Sequence, residues 1–175
     1  MDLFTSVGQN VNNTKLPELN AWSDYFTPED LKGIERIMNR LTILRTHSVV
    51  YPEQNKVLRI FNDLTPDTTR IVILGQDPYH DGNANGYAFA CSKSITPSFK
   101  QIWGAITRTT KKRYEQETGK KVTANLGYLV EQGIMLLNTS LTVQAGTADS
   151  HSSLGWRQYT KAFLLIAIRR PILKA

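Results

Sequence analysis

One cysteine, Cys91, stands among 175 residues. A single thiol excludes an intramolecular disulfide framework and any zinc site built on paired cysteines. It fits a reducing compartment, and Cys91 itself reads as a small buried residue rather than a nucleophile. Long hydrophobic runs are also missing. A stretch such as Ala162 to Ile168 falls far short of the roughly 20 apolar residues that a membrane-spanning helix needs. The start, Met1 to Lys15, is polar, with no basic segment leading into an apolar one, so no secretory signal is read there. No internal repeat and no low-complexity tract is visible. Acids are the scarcer charge: 15 Asp and Glu against 21 Lys and Arg, a net of +6. That balance suits a polyanionic partner without identifying one. With 41% hydrophobic and 21% charged residues, the composition is that of a globular chain, not a disordered one. The length predicts one domain, residues 21–175, behind a polar, Asn-rich and loosely ordered lead-in over residues 1–20.

The first structural signal is Thr27-Pro28-Glu29-Asp30. Thr27 can cap a helix, Pro28 fits its first turn, and two acids sit at the positive end of its dipole. Leu31, Ile34, Ile37, Met38 and Leu41 continue it as one apolar stripe. Val49-Val50-Tyr51-Pro52 breaks that helix, and a second is expected over about Glu53 to Asn62. Ile71 to Leu74 reads as a fully buried strand: short, continuously apolar and followed by Gly75. A loop rich in Gly, Asn, Asp and Pro runs from Gly75 to about Thr96, a length that is usually functional in a compact domain. Pro97-Ser98 opens a helix carrying Phe99, Ile102, Trp103 and Ile106. Lys111 to Arg113 and Lys120-Lys121 read as solvated surface. Asn125 can cap a helix from Leu126 to Gln132, Gly133 stops it, and Ile134 to Leu137 is a second buried strand ending at Asn138. A last helix is expected from about Gly155 to Ile168, ended by Arg169-Arg170-Pro171. Helices alternating with short apolar strands predict an α/β fold: three α/β/α layers around a short central parallel sheet.

Sites in open α/β sheets collect beyond the carboxyl ends of the strands. The first strand delivers Gly75-Gln76-Asp77-Pro78-Tyr79-His80 and the second delivers Asn138-Thr139-Ser140. An acid, an aromatic ring and a carboxamide can meet there. Taken singly, Asp77 could equally start a turn, Asn138 could be a turn residue, and Phe89 and Tyr79 could be plain core.

Gly75 to His80, as GQDPYH, resembles the signature of the family 1 uracil-DNA glycosylases. Val50-Tyr51-Pro52, Gly86-Tyr87-Ala88-Phe89, Pro97-Ser98, Gln132 to Asn138, Leu141-Thr142-Val143, Ser150-His151 and Gly155-Trp156 are similar to that family's segments, in its order. The resemblance runs from about Trp22 to Phe163. It implies hydrolysis of the bond between uracil and deoxyribose in DNA, after the nucleotide has been flipped out of the stack. It implies that Asp77 orients the attacking water, with His80 close by as a second catalytic residue. Substrate binding falls to Gln76 through its backbone, Tyr79 against uracil C5, Phe89 stacked on the base, and Asn138 reading N3–H and O4. Ser98 would hold a DNA phosphate. His151 would be structural or near the DNA backbone. No cofactor and no metal are implied. The expected partner is uracil-containing DNA, single- or double-stranded; the chain is an expected monomer, away from membranes, open to a protein inhibitor or a replication partner, and cytoplasmic, or nuclear in a eukaryotic or viral setting, rather than secreted.

The family's later HPSP segment, with its histidine and apolar wedge, has no match. His47, His80 and His151 are the three histidines, and none precedes Pro-Ser-Pro. The expectation is a domain incomplete at its C-terminus, its last strands and helices missing. The competing reading is an impaired or inactive homologue that only binds DNA or a protein.

Overall fold

A computed structural model describes residues 19–92, 95–109, 111–119 and 121–169. The lead-in before Leu19 and the tail after Arg169 lie outside the described residues, as do Lys120 and Arg170-Pro171. Leu19 is already buried, and Asn20 opens a short 3-10 helix, Asn20–Tyr25.

Helix α1 (Pro28–Leu44) starts where its cap requires. The Thr27 hydroxyl accepts the N–H of Asp30, and the Asp30 carboxylate accepts the N–H of Thr27. These two bonds satisfy backbone donors that a helix start leaves open. Its stripe of Ile34, Ile37, Met38 and Leu41 is buried. The second expected helix is broken in two. A 3-10 turn at Gln54–Lys56 gives way to α2 (Arg59–Asp63), and Leu58 between them takes φ −103° and ψ 16°, outside the helical region.

Strand β1 (Val50–Tyr51) pairs antiparallel with β4 (Val143–Gln144), a ribbon too short to have a sequence signature. Strand β2 (Ile71–Gly75) pairs parallel with β3 (Ile134–Asn138), Ile71 opposite Ile134 and Gly75 opposite Asn138. Between the two lie α3 (Pro97–Thr107), α4 (Lys111–Thr118) and α5 (Gly127–Val130). Asn125 Oδ1 accepts the N–H of Gly127 in an Asx turn ahead of α5, but the N-cap position falls on Leu126, at φ +56° and without a side-chain cap bond, so the expected Asn125 cap is corrected; the helix is only four residues long. Lys112 and Arg113 on α4 are exposed, as a solvated face requires, while Tyr114 packs its ring edge-on to Trp103 at 4.9 Å.

The two strands of the parallel sheet differ in environment. Successive residues of a strand point to opposite faces. Met135, Leu136 and Leu137 are all fully buried, so β3 is covered on both faces. The expectation that β2 is fully buried is corrected: Ile71 is 52% exposed and Leu74 44%, again on opposite faces. The reason is position. Both strands are edges of a two-stranded sheet among the described residues, but helices α2 and α5 pack against β3, while the main packing partner of β2 is β3 itself.

Helix α6 (Trp156–Arg169) closes the core against α1. Phe163 lies edge-on to Trp22 at 4.5 Å and to Phe61 at 5.3 Å between ring centroids. These contacts tie the first turn of the described chain to its last helix.

Candidate active site at the strand ends

The carboxyl ends of β2 and β3 are stitched together beyond the last ladder pair. Thr139 N–H donates to the Gly75 carbonyl at 2.9 Å, and Ser140 N–H to the Gln76 carbonyl at 2.9 Å. The Thr139 hydroxyl also donates to the Gln76 carbonyl, at 2.8 Å. Both lone pairs of that carbonyl are thereby used.

Asn138 closes β3 and is buried, with 7% of its surface exposed. Its Oδ1 has no hydrogen-bond partner among the described residues. A buried amide oxygen without a donor costs about 1–3 kcal/mol. The space it uses exists because residue 75 is glycine: a Cβ built on Gly75 would lie 2.2 Å from Asn138 Oδ1 and 3.3 Å from Phe89 Cζ. Gly75, Asn138 and Phe89 therefore meet at one point. The loop is brought there by the N–H of Ala88, which donates to the Leu136 carbonyl on β3 at 3.0 Å. Phe89 itself has φ +64°, a left-handed conformation rarely held by an aromatic residue outside a constrained site.

Tyr79 is half-buried, and its hydroxyl lies 2.7 Å from Thr96 Oγ1. Burial pushes its phenol above the usual range, so at neutral pH the ring is a neutral wall with a protonated hydroxyl. Thr96 Oγ1 also accepts the N–H of Phe99, capping α3, and stands 3.8 Å from the Cys91 sulfur. One hydroxyl thus fixes the helix start and the tyrosine ring together. Burial pushes the Cys91 thiol up as well, which leaves it inert, in line with the reading of a small buried residue. Ser98, on the first turn of α3, is exposed.

Asp77 is half-buried, and its Oδ2 accepts the N–H of Asp149 at 2.7 Å. His80 is exposed, and its carbonyl accepts the N–H of Gly146 at 2.9 Å. His151 is buried, and its Nδ1 lies 2.9 Å from Thr142 Oγ1. Of the two roles open to it, this placement supports the structural one.

The structure thus gathers Gly75, Gln76, Phe89 and Asn138 at the strand ends, with Tyr79 and Ser98 along the flanking loop and helix start. Sequence reasoning placed Thr139 at the strand end but missed Thr96 and Asp149. Thr96 carries a signal, as Thr-Pro-Ser is a helix-start pattern. Asp149 acts through its backbone, for which side-chain chemistry gives no warning. A cavity of about 620 Å³ opens elsewhere, between Trp103, Tyr114, Val122 and Tyr128, and shares no residue with this cluster. No group of three or more metal-ligating side chains occurs among the described residues.

Residues 61–175 match the profile of the uracil DNA glycosylase superfamily. The chain belongs to that superfamily. It is 33% identical over 163 residues to a uracil-DNA glycosylase of Azobacteroides pseudotrichonymphae genomovar. CFP2, an alignment covering 90% of this chain and 70% of that one. It is 34% identical over 158 residues to the uracil-DNA glycosylase of Epstein-Barr virus (strain B95-8), covering 88% and 59%. In fold it is similar to mimivirus uracil-DNA glycosylase, with a TM-score of 0.62 at 19% identity, covering 86% of this chain and 56% of that one. The α/β architecture of the superfamily is therefore the fold of this chain, and the chain spans a little over half the length of the Epstein-Barr and mimivirus glycosylases.

Proposed function

We propose that this chain is a DNA-repair glycosylase that takes a flipped uracil at the ends of β2 and β3 and hydrolyses its N-glycosidic bond. The observation that carries this reading is the unpartnered, buried Oδ1 of Asn138 beneath Phe89. Uracil N3–H is the donor that oxygen lacks, and the Asn138 amide N–H can reach uracil O4 in the same contact. Cytosine presents the reverse pattern, an acceptor at N3 and a donor at N4. It would leave buried groups unpaired at about 1–3 kcal/mol each. Phe89 stacks on the base face, a contact worth about 1–3 kcal/mol. Tyr79, locked by Thr96, stands against C5, where thymine carries a methyl. The Gln76 N–H addresses a carbonyl edge.

Cleavage breaks the bond between C1′ and N1 while a water oxygen bonds to C1′. Positive charge grows on the sugar and negative charge on the departing uracil. Asp77 orients that water and stabilises the cationic sugar, the logic of a carboxylate beside an oxocarbenium-like centre. His80, exposed at the rim, lies beside the water path. Ser98 binds a phosphate at the start of α3. The partner is uracil-containing DNA, consistent with the net +6 of the chain. No helix among the described residues is long and apolar enough to cross a membrane. Because the proposed substrate is DNA, the reaction belongs in the cytoplasm or nucleus. A protein inhibitor is a further candidate partner, since a mimivirus relative with TM-score 0.66 is known in complex with UGI.

The test is release of free uracil from a single-stranded oligonucleotide by the purified chain. Loss of release in Asp77→Asn and Asn138→Asp is the expected result. The second reading is a DNA- or protein-binding module without turnover. Binding of the oligonucleotide with no uracil released would decide for it.

A further inference from the structure

Asp77 is held by a turn, and that turn is built on a buried polar cluster. The bond is the 2.7 Å contact from Asp149 N–H to Asp77 Oδ2. Asp149 has φ +56°, so the direction of its N–H depends on an uncommon local conformation. Three contacts keep the turn in place. Arg157 at the start of α6 donates to Asp149 Oδ1 at 2.7 Å. Ser152 N–H donates to the Asp149 carbonyl at 3.0 Å. Ser150 Oγ accepts the N–H of Gln144 at 2.8 Å, tying the turn to β4.

Beneath the turn lies the cluster. Trp156 Nε1–H donates to Thr142 Oγ1 at 2.7 Å. Thr142 Oγ1 lies 2.9 Å from His151 Nδ1. An indole nitrogen can only donate, so the threonine oxygen accepts there and meets His151 Nδ1 with its second lone pair or its own proton. Either way His151 Nδ1 is tied to the same oxygen as the indole. The Ser140 hydroxyl is shared between the Thr142 carbonyl at 3.2 Å and the His151 carbonyl at 3.4 Å, and the His151 carbonyl also accepts the N–H of Leu154 at 3.1 Å. Thr142 and Ser140 are fully buried, Trp156 is 1% exposed and His151 5%. Such a network, fully satisfied, has one geometry. Burial holds the imidazole below its usual range, aided by Arg45 and Arg40, which agrees with a neutral ring.

We propose that Thr142, with His151 and Trp156, is a positioning residue that fixes the Asp149 N–H and through it the Asp77 carboxylate. None of the three need touch the substrate. This inference rests on the glycosylase reading for its catalytic consequence, but its structural content does not.

The test uses Thr142→Val, close in shape but without the hydroxyl, and Thr142→Ser, which keeps the hydroxyl and loses a methyl. The first readout is independent of activity: hydrogen exchange of the Asp149 amide, followed by NMR in the 175-residue protein. The amide is expected to be protected in the wild type and in Thr142→Ser. In Thr142→Val and in Asp77→Ala its exchange is expected to be at least about tenfold faster, because the acceptor has moved or gone. The second readout is uracil release. In Thr142→Val kcat is expected to fall about tenfold or more with KM within about twofold, since misplacing a catalytic group costs rate rather than binding. Thr142→Ser restores it. Protection of Asp149 that survives both Thr142→Val and Asp77→Ala overturns the proposal. So does an equal fall of kcat in the Val and Ser variants. If the wild type releases no uracil, the glycosylase reading fails, and the exchange rates alone decide the positioning claim. Should Thr142→Val not fold, His151→Gln is read in the same two assays with the same expectations.

Discussion

Gly75 and Asn138 face each other across the parallel pair, and the carboxamide oxygen of Asn138 occupies the space where a side chain at position 75 would begin. The last residue of each strand is thus shaped by the other. Gly75→Ala places a methyl 2.2 Å from Asn138 Oδ1, 3.1 Å from Ala88 Cβ and 3.3 Å from Phe89 Cζ. Asn138 is expected to turn out of its reading position. The expected outcome is a loss of uracil release by about a hundredfold, the scale of a misplacement near 1 Å. The thermal midpoint should move far less than the rate; equal activity of Gly75→Ala and wild type would remove Asn138 from the site.

On the proposed function, Thr96 joins specificity to helix capping. Its Oγ1 accepts from Phe99 N–H and bonds Tyr79. Thr96→Val is expected to cost about 1 kcal/mol of stability through the lost cap. It should also free the Tyr79 ring, so that the ratio of uracil to thymine release falls. Thr96→Ser keeps both bonds and should keep both properties. Calorimetry and release assays on paired uracil and thymine oligonucleotides check this.

His151 makes stability depend on pH. Burial, then Arg45 and Arg40, depress its folded value below that of the free imidazole. The unfolded chain therefore binds the proton more readily. The contribution of His151 is complete above the unfolded value, about 6.5, and is lost as pH falls through the folded one. Denaturant melts at pH 7.5, 6.5 and 5.5 should show falling stability. His151→Gln should flatten that slope, whatever its effect at pH 7.5.

Phe163 is fully buried between Trp22 and Phe61. Phe163→Ala is expected to cost about 3–5 kcal/mol, the range for a large aromatic removed from a core. Leu74→Lys, at the exposed edge strand, should change stability by about 0.5 kcal/mol or less. It should also reduce self-association at high concentration, because a charge blunts an apolar edge. Chemical melts and light scattering measure the two effects.

The amino-acid sequence alone determined the local elements and the chemistry they carry. Thr27-Pro28-Glu29-Asp30 specifies the start of α1 through contacts made within one turn. GQDPYH and the run ending at Asn138 mark the strand ends and their superfamily. These signals are local, so they survive without the fold. The burial of β2 differs from the expectation because an apolar run has the same pattern whether or not helices cover its faces, as α2 and α5 cover β3. The interruption at Leu58 was missed because Val57, Ile60 and Phe61 keep a helical spacing across it. Tertiary structure alone decided that Asn138 Oδ1 meets Gly75, 63 positions apart in the chain. It also decided that Asp77 leans on the N–H of Asp149, 72 positions away. Contacts of that range follow from strand register and from the path of a turn, and a backbone N–H is the same at every residue, so no side-chain pattern could announce them.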